Sequence, residues 1–137
     1  MAIDYGDTRT GVALSDPTGT LVGNSYVIMS YSLERTLKHI CDAIADKQPE
    51  VIVVGYPKNM NGTIGPRAEK SALFADALRE ITDVPVVLRD ERLTTVGAHR
   101  ILSDVGKRGK KRKETVDAVA ASLILENYLA ELKNKTE

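Results

Sequence analysis

Three acidic residues adjoin apolar segments of the sequence that are expected to be buried in the folded chain. Asp4 ends the first apolar run of the chain, and Glu91 ends a second run that begins with the apolar residues 86–88. Asp117 stands one helical step before Ala121, at the head of a largely apolar stripe. Because a carboxylate removed from water is costly unless something pairs with it, each of these residues requires a partner.

Three acids at the ends of core elements can converge on one spot, where they repel one another unless cations compensate them. Mg²⁺ and Mn²⁺ prefer oxygen ligands of this kind. Two such ions, about 4 Å apart, hold both the attacking water and the leaving oxygen of a phosphodiester. The acids Asp4, Glu91 and Asp117 therefore predict metal-assisted phosphodiester hydrolysis with two ions, Mg²⁺ or Mn²⁺.

Each acid also has a simpler interpretation. Asp4 suits a turn acceptor beside Tyr-Gly, and Asp117, predicted in the first turn of the last helix, suits the positive end of that helix. Glu91 has arginine at positions 89 and 92 as possible ion-pair partners. These interpretations need three separate coincidences, which favours the shared site.

The elements that must position these acids alternate along the chain after an opening hairpin. Apolar periodicity, caps and breakers predict strands at 1–4, 12–14, 21–29, 51–55 and 86–89, and helices at 32–48, 66–81, 94–106 and 114–132. Only three residues precede Asp4, so we expect a short first strand. This order predicts one α/β domain over 1–137, with a five-stranded mixed sheet, an antiparallel N-terminal meander and helices on both faces.

Composition narrows the class of protein. The chain has 137 residues with zero formal net charge, and its single cysteine excludes an internal disulfide or a cysteine-based zinc cluster. Cys41 falls on the apolar stripe of the first helix and is predicted to be core. No apolar run approaches the roughly 20 residues of a membrane span, so we expect a cytoplasmic protein.

Positive charge is concentrated in one stretch. Residues 107–113 read Lys-Arg-Gly-Lys-Lys-Arg-Lys, which predicts a flexible basic loop that grips the backbone of RNA or DNA without reading sequence. The cations predicted to contact nucleic acid are Arg9, Arg67, Arg92, Lys110, Lys111, Arg112 and Lys113.

Four motifs, in order along the chain, resemble those of the YqgF (RuvX) family. They are Ile3-Asp4-Tyr5-Gly6 with Arg9 and Gly11-Val12-Ala13, the loop Gly55-Tyr56-Pro57-Lys58-Asn59-Met60-Asn61-Gly62, the block Asp90-Glu91-Arg92-Leu93-Thr94-Thr95, and Val116-Asp117 with Ala120-Ala121 and Leu125.

The resemblance implies a RuvC-like chain with the ribonuclease H-like fold, in which Asp4, Glu91 and Asp117 are the metal-binding catalytic acids. It also implies a role in maturing the 5′ end of pre-16S ribosomal RNA, with RNA favoured over DNA and ribosomal precursor particles as partners. The family's earlier description is Holliday-junction resolvase. Symmetric cleavage of a four-way junction needs two active sites, hence a dimer, whereas no dimer stripe is evident and a monomer is expected.

Two further classes stay open at this point. An actin-like or sugar-kinase-like ATP-binding domain also begins with Asp-x-Gly before a hairpin, but it needs a second such domain to close over the nucleotide. A nucleic-acid-binding module that has lost catalysis is the other. Retained metal-site carboxylates argue against it, because a pure binder gains nothing from acids that face phosphate.

Overall fold

The computed structural model describes residues 1–16, 19, 21–58, 61–90 and 109–136, with the side chains of the last helix described from 118 to 132. The described residues form strands and helices that alternate after an opening meander. They are β1 (Ala2–Asp4), β2 (Arg9–Ser15), β3 (Val22–Met29), α1 (Leu33–Lys47), β4 (Ile52–Tyr56), α2 (Pro66–Ile81), β5 (Val86–Asp90) and α3 (Gly109–Thr136). The predicted helix at 94–106 lies outside the described residues.

The five described strands form one mixed sheet in the order β3-β2-β1-β4-β5. β1 pairs antiparallel with β2, which confirms the predicted hairpin, and β2 pairs antiparallel with β3. β1 runs parallel to β4, and β4 runs parallel to β5. The shortest strand, β1, therefore lies at the centre of the sheet.

Helices cover both faces, as the sequence predicts. Ile3 of β1 packs with Ile40 of α1 and Phe74 of α2 on one face. Its neighbour Ala2 packs with Ala121 of α3 on the other. This alternation follows from the period of a strand, in which successive side chains point to opposite faces. The β-branched residues 52–54 of β4 are fully buried because both of their faces are covered.

Helix α1 confirms one local prediction and corrects another. Ser32 caps it by accepting a hydrogen bond from the backbone N–H of Arg35 at 3.1 Å, as predicted. Cys41 is exposed, so its predicted place in the core is wrong. Ile40 is fully buried, and one residue further along a helix turns the side chain about 100° away from the sheet.

Helix α3 begins at Gly109, earlier than the predicted start near 114. Residues 109–113 of the predicted loop at 107–113 are therefore helical, which agrees with the high helix propensity of lysine and arginine. Asp117 consequently lies more than two turns inside α3. Its interpretation as a first-turn acid that complements the helix N-terminus is wrong, since that effect fades within the first turn.

The direction of α3 follows from what its C-terminal half contacts. Leu125, Leu129 and Leu132 line a cavity of about 700 Å³ together with Met1 and Val51, at the edge where β1 and β4 begin. Glu131 also forms an ion pair with Arg89 of β5. Among the described helices, none combines the length and apolarity that a membrane crossing demands.

Candidate active site

The carboxyl end of β1 carries the first candidate acid. Asp4 pairs with Gly11 across the hairpin, and only 4% of its side chain is exposed. The neighbouring parallel strands end at the same edge, where Tyr56 of β4 pairs with Asp90 of β5. In α/β sheets, this edge is where ligands bind. The sequence prediction that Asp4 is a buried acid at a strand end is confirmed.

Arg67 supplies a positive charge to this buried acid. Its Nη2 lies 3.7 Å from Oδ1 of Asp4, and half of its side chain (52%) is exposed. Arg67 belongs to the first turn of α2, which Pro66 begins after the extended N-cap residue Gly65. Proline fits there because the first helical N–H has no partner within the helix. The start of α2 thus brings a guanidinium to the carboxyl edge of the sheet.

A second ion pair joins the same two elements. Nζ of Lys70 donates a hydrogen bond to Oδ2 of Asp7 at 2.8 Å, and this bond raises the pKa of the Lys70 ammonium. Lys70 lies one helical turn after Arg67 on α2, and Asp7 lies in the β1–β2 loop. Sequence reasoning missed this pair because 63 residues separate its members and neither stands in an unusual local context.

The β1–β2 loop is held tightly beside Asp4. The Thr10 hydroxyl accepts a hydrogen bond from the Gly6 N–H and donates one to the Gly6 carbonyl, each at 3.4 Å. A Cβ on residue 6 would collide with the carbonyl oxygen of Arg9, so the turn requires glycine. Tyr5 stacks on Phe74 of α2 with ring centroids 4.5 Å apart. Burial, and then the charge of Asp7, raise the pKa of the Tyr5 phenol.

The structure describes some predicted site residues and leaves others out. Arg9 is a partly buried residue at the start of β2, and Arg67 contacts Asp4. Glu91 and Arg92 lie outside the described residues, and Glu91 follows in sequence the last residue of β5. The backbone of Asp117 lies in α3, but its side chain is outside the described part, as are the side chains of Lys110, Lys111, Arg112 and Lys113.

The described residues contain no group of three histidine, cysteine, aspartate or glutamate side chains that could hold a metal. Two of the three predicted ligands are outside the described side chains, so only Asp4 can be compared with the requirements of a cation. Its buried carboxylate offers oxygen ligands of the kind that Mg²⁺ and Mn²⁺ prefer. The position beside it already carries a positive charge, that of Arg67.

Solved structures share this arrangement of strands and helices. RuvC from Thermus thermophilus has a TM-score of 0.55 and 15% sequence identity, with 96% of this chain and 94% of that chain covered. The Fowlpox virus resolvase, solved with Holliday junction DNA, has a TM-score of 0.56 and 11% identity, with 95% of each chain covered. The fold is therefore the ribonuclease H-like fold of the RuvC structures.

Sequence comparison adds the family. Residues 1–131 match the family described as "RuvX: Holliday junction resolvase". A relative from Halothermothrix orenii is 47% identical, with 94% of this chain and 92% of the relative covered. Another, from Thermoanaerobacter pseudethanolicus, is 44% identical, with 98% of each covered. Both carry the name "Putative pre-16S rRNA nuclease". The chain belongs to the RuvX family, which confirms the resemblance noted in its motifs.

Proposed function

We propose that this chain is a metal-dependent nuclease that hydrolyses phosphodiester bonds during maturation of the 5′ end of pre-16S ribosomal RNA, acting as a monomer on precursor particles. The observation that carries the proposal is the buried carboxylate of Asp4 at the carboxyl edge of the sheet, with the guanidinium of Arg67 beside it. Burial of a carboxylate at a strand end costs free energy unless charge or hydrogen bonds compensate it, so this position favours a role in binding a cation. The names of the relatives support RNA as the substrate.

Two observations support the convergence of the other acids with Asp4. Glu91 follows Asp90, the last residue of β5, which ends at the same edge as β1. Asp117 lies one turn before Ala121, which is buried against Ala2. Leu125, Leu129 and Leu132, further along α3, line the cavity at the edge where β1 begins, which favours a position of Asp117 nearer the opposite edge.

In the proposed mechanism, Asp4, Glu91 and Asp117 would hold the metal, Mg²⁺ or Mn²⁺ as two ions. When bound, the metal supplies a more acidic water and offsets negative charge on the scissile phosphate. Arg9, Arg67 and Arg92 would neutralise phosphate oxygens around the cleaved bond, since guanidinium groups match phosphate geometry. The cations at 110–113 would hold the backbone of the substrate further along, without selecting a base sequence.

The test compares cleavage of a labelled single-stranded RNA that spans the 5′ end of 16S RNA with cleavage of a DNA four-way junction. Each is incubated with Mg²⁺, Mn²⁺ or chelator. We expect metal-dependent RNA cleavage, reduced about a thousandfold in Asp4→Asn, Glu91→Gln and Asp117→Asn, because losing several kcal/mol of transition-state stabilisation costs a factor of this order. Asp42→Asn, which makes the same change at an exposed acid of α1, is the matched control.

If any of the three variants cleaved RNA at the full rate, the residue changed in that variant would not be a metal ligand. Cleavage of the junction alone would identify a resolvase, the second candidate, which the family description and the likeness to the viral resolvase favour. In that case the active species should be a dimer. Tight, salt-sensitive binding without cleavage of either substrate would identify an inactive nucleic-acid-binding module.

The basic start of α3 provides a separate test of substrate contact. Replacing Lys110, Lys111, Arg112 and Lys113 with glutamine should weaken RNA binding and flatten its salt dependence. If all four contact phosphates of a single strand, the slope of log K against log salt should fall by about 3. Lys38→Gln, on the exposed side of α1, is the control and should leave the slope unchanged. An unaltered slope in the quadruple variant would show that these cations do not touch phosphate.

A further inference from the structure

The ion pair between Asp4 and Arg67 is unequal. The carboxylate is almost fully buried, whereas half of the guanidinium side chain is in water. The 3.7 Å between Nη2 and Oδ1 is longer than a hydrogen bond, in contrast to the 2.8 Å of the pair between Lys70 and Asp7 one turn along the same helix. Arg67 therefore provides charge to Asp4 without a tight, directional bond.

The two partners differ in what they lose if they separate. Arg67 can turn into water at small cost, because an arginine stem is flexible and its head is already half solvated. Asp4 is fixed on a central strand and cannot follow. Its buried charge gains stability from a positive charge beside it. A divalent cation meets that need better than a guanidinium does, since it carries twice the charge in a smaller volume.

We propose that Arg67 is a displaceable counter-ion of Asp4. In the metal-free protein it neutralises the buried acid, and a divalent cation that binds Asp4 releases it. The released guanidinium, still held by the first turn of α2, then contacts a phosphate of the nucleic acid. This inference rests on the metal site of the proposed function, and it makes Arg67 a residue that competes with the metal before it assists the substrate.

The first test measures binding of Mn²⁺ alone, by the paramagnetic resonance signal of the free ion, with no nucleic acid present. Arg67→Gln removes the competitor and should bind Mn²⁺ about two- to fivefold more tightly than the unaltered protein, the range expected for a partly exposed ion pair. Lys70→Gln is the matched control, because it removes the same charge one turn away but pairs with Asp7. Asp4→Asn should lose the binding.

The inference would be overturned if Arg67→Gln bound Mn²⁺ no more tightly than the unaltered protein or no more tightly than Lys70→Gln. Mn²⁺ binding that Asp4→Asn leaves intact would also overturn it, because the ion would then sit elsewhere.

The second test measures thermal unfolding with and without saturating Mn²⁺. Without metal, Arg67→Gln should unfold at a lower temperature than the unaltered protein, because Asp4 has lost a counter-ion. With Mn²⁺ bound the difference should close, because the ion is then the counter-ion of Asp4 in both proteins and its tighter binding stabilises the variant more. A difference that persists in saturating Mn²⁺ would show that Arg67 stays on Asp4 beside the metal, and the displacement would be wrong.

These measurements separate the two proposals. The changes in Mn²⁺ affinity and in unfolding temperature do not depend on catalysis. They would therefore support displacement even if no RNA were cleaved and the proposed nuclease function failed. Conversely, metal-dependent RNA cleavage with unchanged Mn²⁺ affinity in Arg67→Gln would support the nuclease and overturn the displacement.

Discussion

Helix α3 meets the centre of the sheet through a small side chain, that of Ala121, and enlarging it should move the helix. Ala121 is fully buried and packs with Ala2 of β1, Ala13 of β2 and Val53 of β4. Ala2 and Ala13 are direct partners in the hairpin, so two of the side chains that Ala121 meets are methyl groups side by side. Leucine at 121 would add three carbon atoms to a space with no room for them.

Overpacking of this kind costs about 1–3 kcal/mol. At about 4 °C for each kcal/mol in a chain of this size, Ala121→Leu should lower the unfolding midpoint by roughly 4–12 °C. Ala130→Leu is the matched control, because Ala130 is exposed on the same helix and the same atoms are added in water. Its midpoint should stay within about 2 °C, as is usual for surface substitutions.

The consequence for activity distinguishes displacement of α3 from simple loss of stability. Asp117 lies one turn before Ala121, so a helix lifted from the sheet moves that residue. A misplacement of about 1 Å costs roughly a hundredfold in rate. RNA cleavage by Ala121→Leu should therefore fall about a hundredfold at a temperature where circular dichroism shows it fully folded.

Two measurements are made on both variants side by side. The first is the stability of each variant by denaturant and thermal unfolding, and the second is the rate of RNA cleavage by the folded protein at 25 °C. Equal stability of Ala121→Leu and Ala130→Leu would refute the packing argument. Lower stability with undiminished cleavage would show that the contact of α3 with β1 and β2 does not position Asp117.

The loop and the aromatic stack beside Asp4 give two further predictions. Gly6→Ala must shift the backbone away from the Arg9 carbonyl and should impair RNA cleavage. Gly19→Ala is the control, because Gly19 has a φ of 71° but open space around it. Its backbone strain should cost about 1–2 kcal/mol of stability without lowering the cleavage rate. Equal cleavage by the two variants would contradict the steric argument. Burial raises the pKa of Tyr5, so folding favours its neutral form, and stability should fall as pH rises past about 10, where the unfolded chain ionises first. Tyr5→Phe keeps the stack on Phe74 and should make that decline shallower in urea unfolding between pH 8 and 11; the same decline in both proteins would assign it to other groups.

The features that the sequence predicted well are those with a local cause. Helix α2 begins at Pro66 and ends at Ile81, as predicted, because a proline and a change in periodicity mark its bounds. The hairpin of β1 and β2 was predictable from a turn between two apolar runs. The position of β1 between β2 and β4 had no local signal, since it depends on pairing between Ile3 and Val54, which are far apart in the sequence.

The same division holds within the candidate site. Asp4 was identifiable because it is a charged residue directly after an apolar run that is expected in the core. Arg67 was predicted as one cation among several, but its contact with Asp4 depends on where the start of α2 lies against the sheet. The pair of Asp7 and Lys70 is an ordinary acid and an ordinary base in sequence, and only the packing of α2 on the β1–β2 loop brings them together.

Together, these two ion pairs explain how a chain of zero net charge could bind a polyanion. Asp4 and Asp7 offset the charges of Arg67 and Lys70, so these four side chains together add no net charge to the edge. A divalent cation on Asp4 would add its charge without removing Arg67 from α2, and the same four side chains would then belong to a positive surface. Nucleic acid should accordingly bind more tightly with metal than without it, and the gain should shrink as salt rises, because it comes from phosphate neutralisation rather than base recognition. The net charge of the whole chain does not show this, because under the proposed function the local balance of charge at the carboxyl edge would decide binding, and the bound metal would make that balance positive.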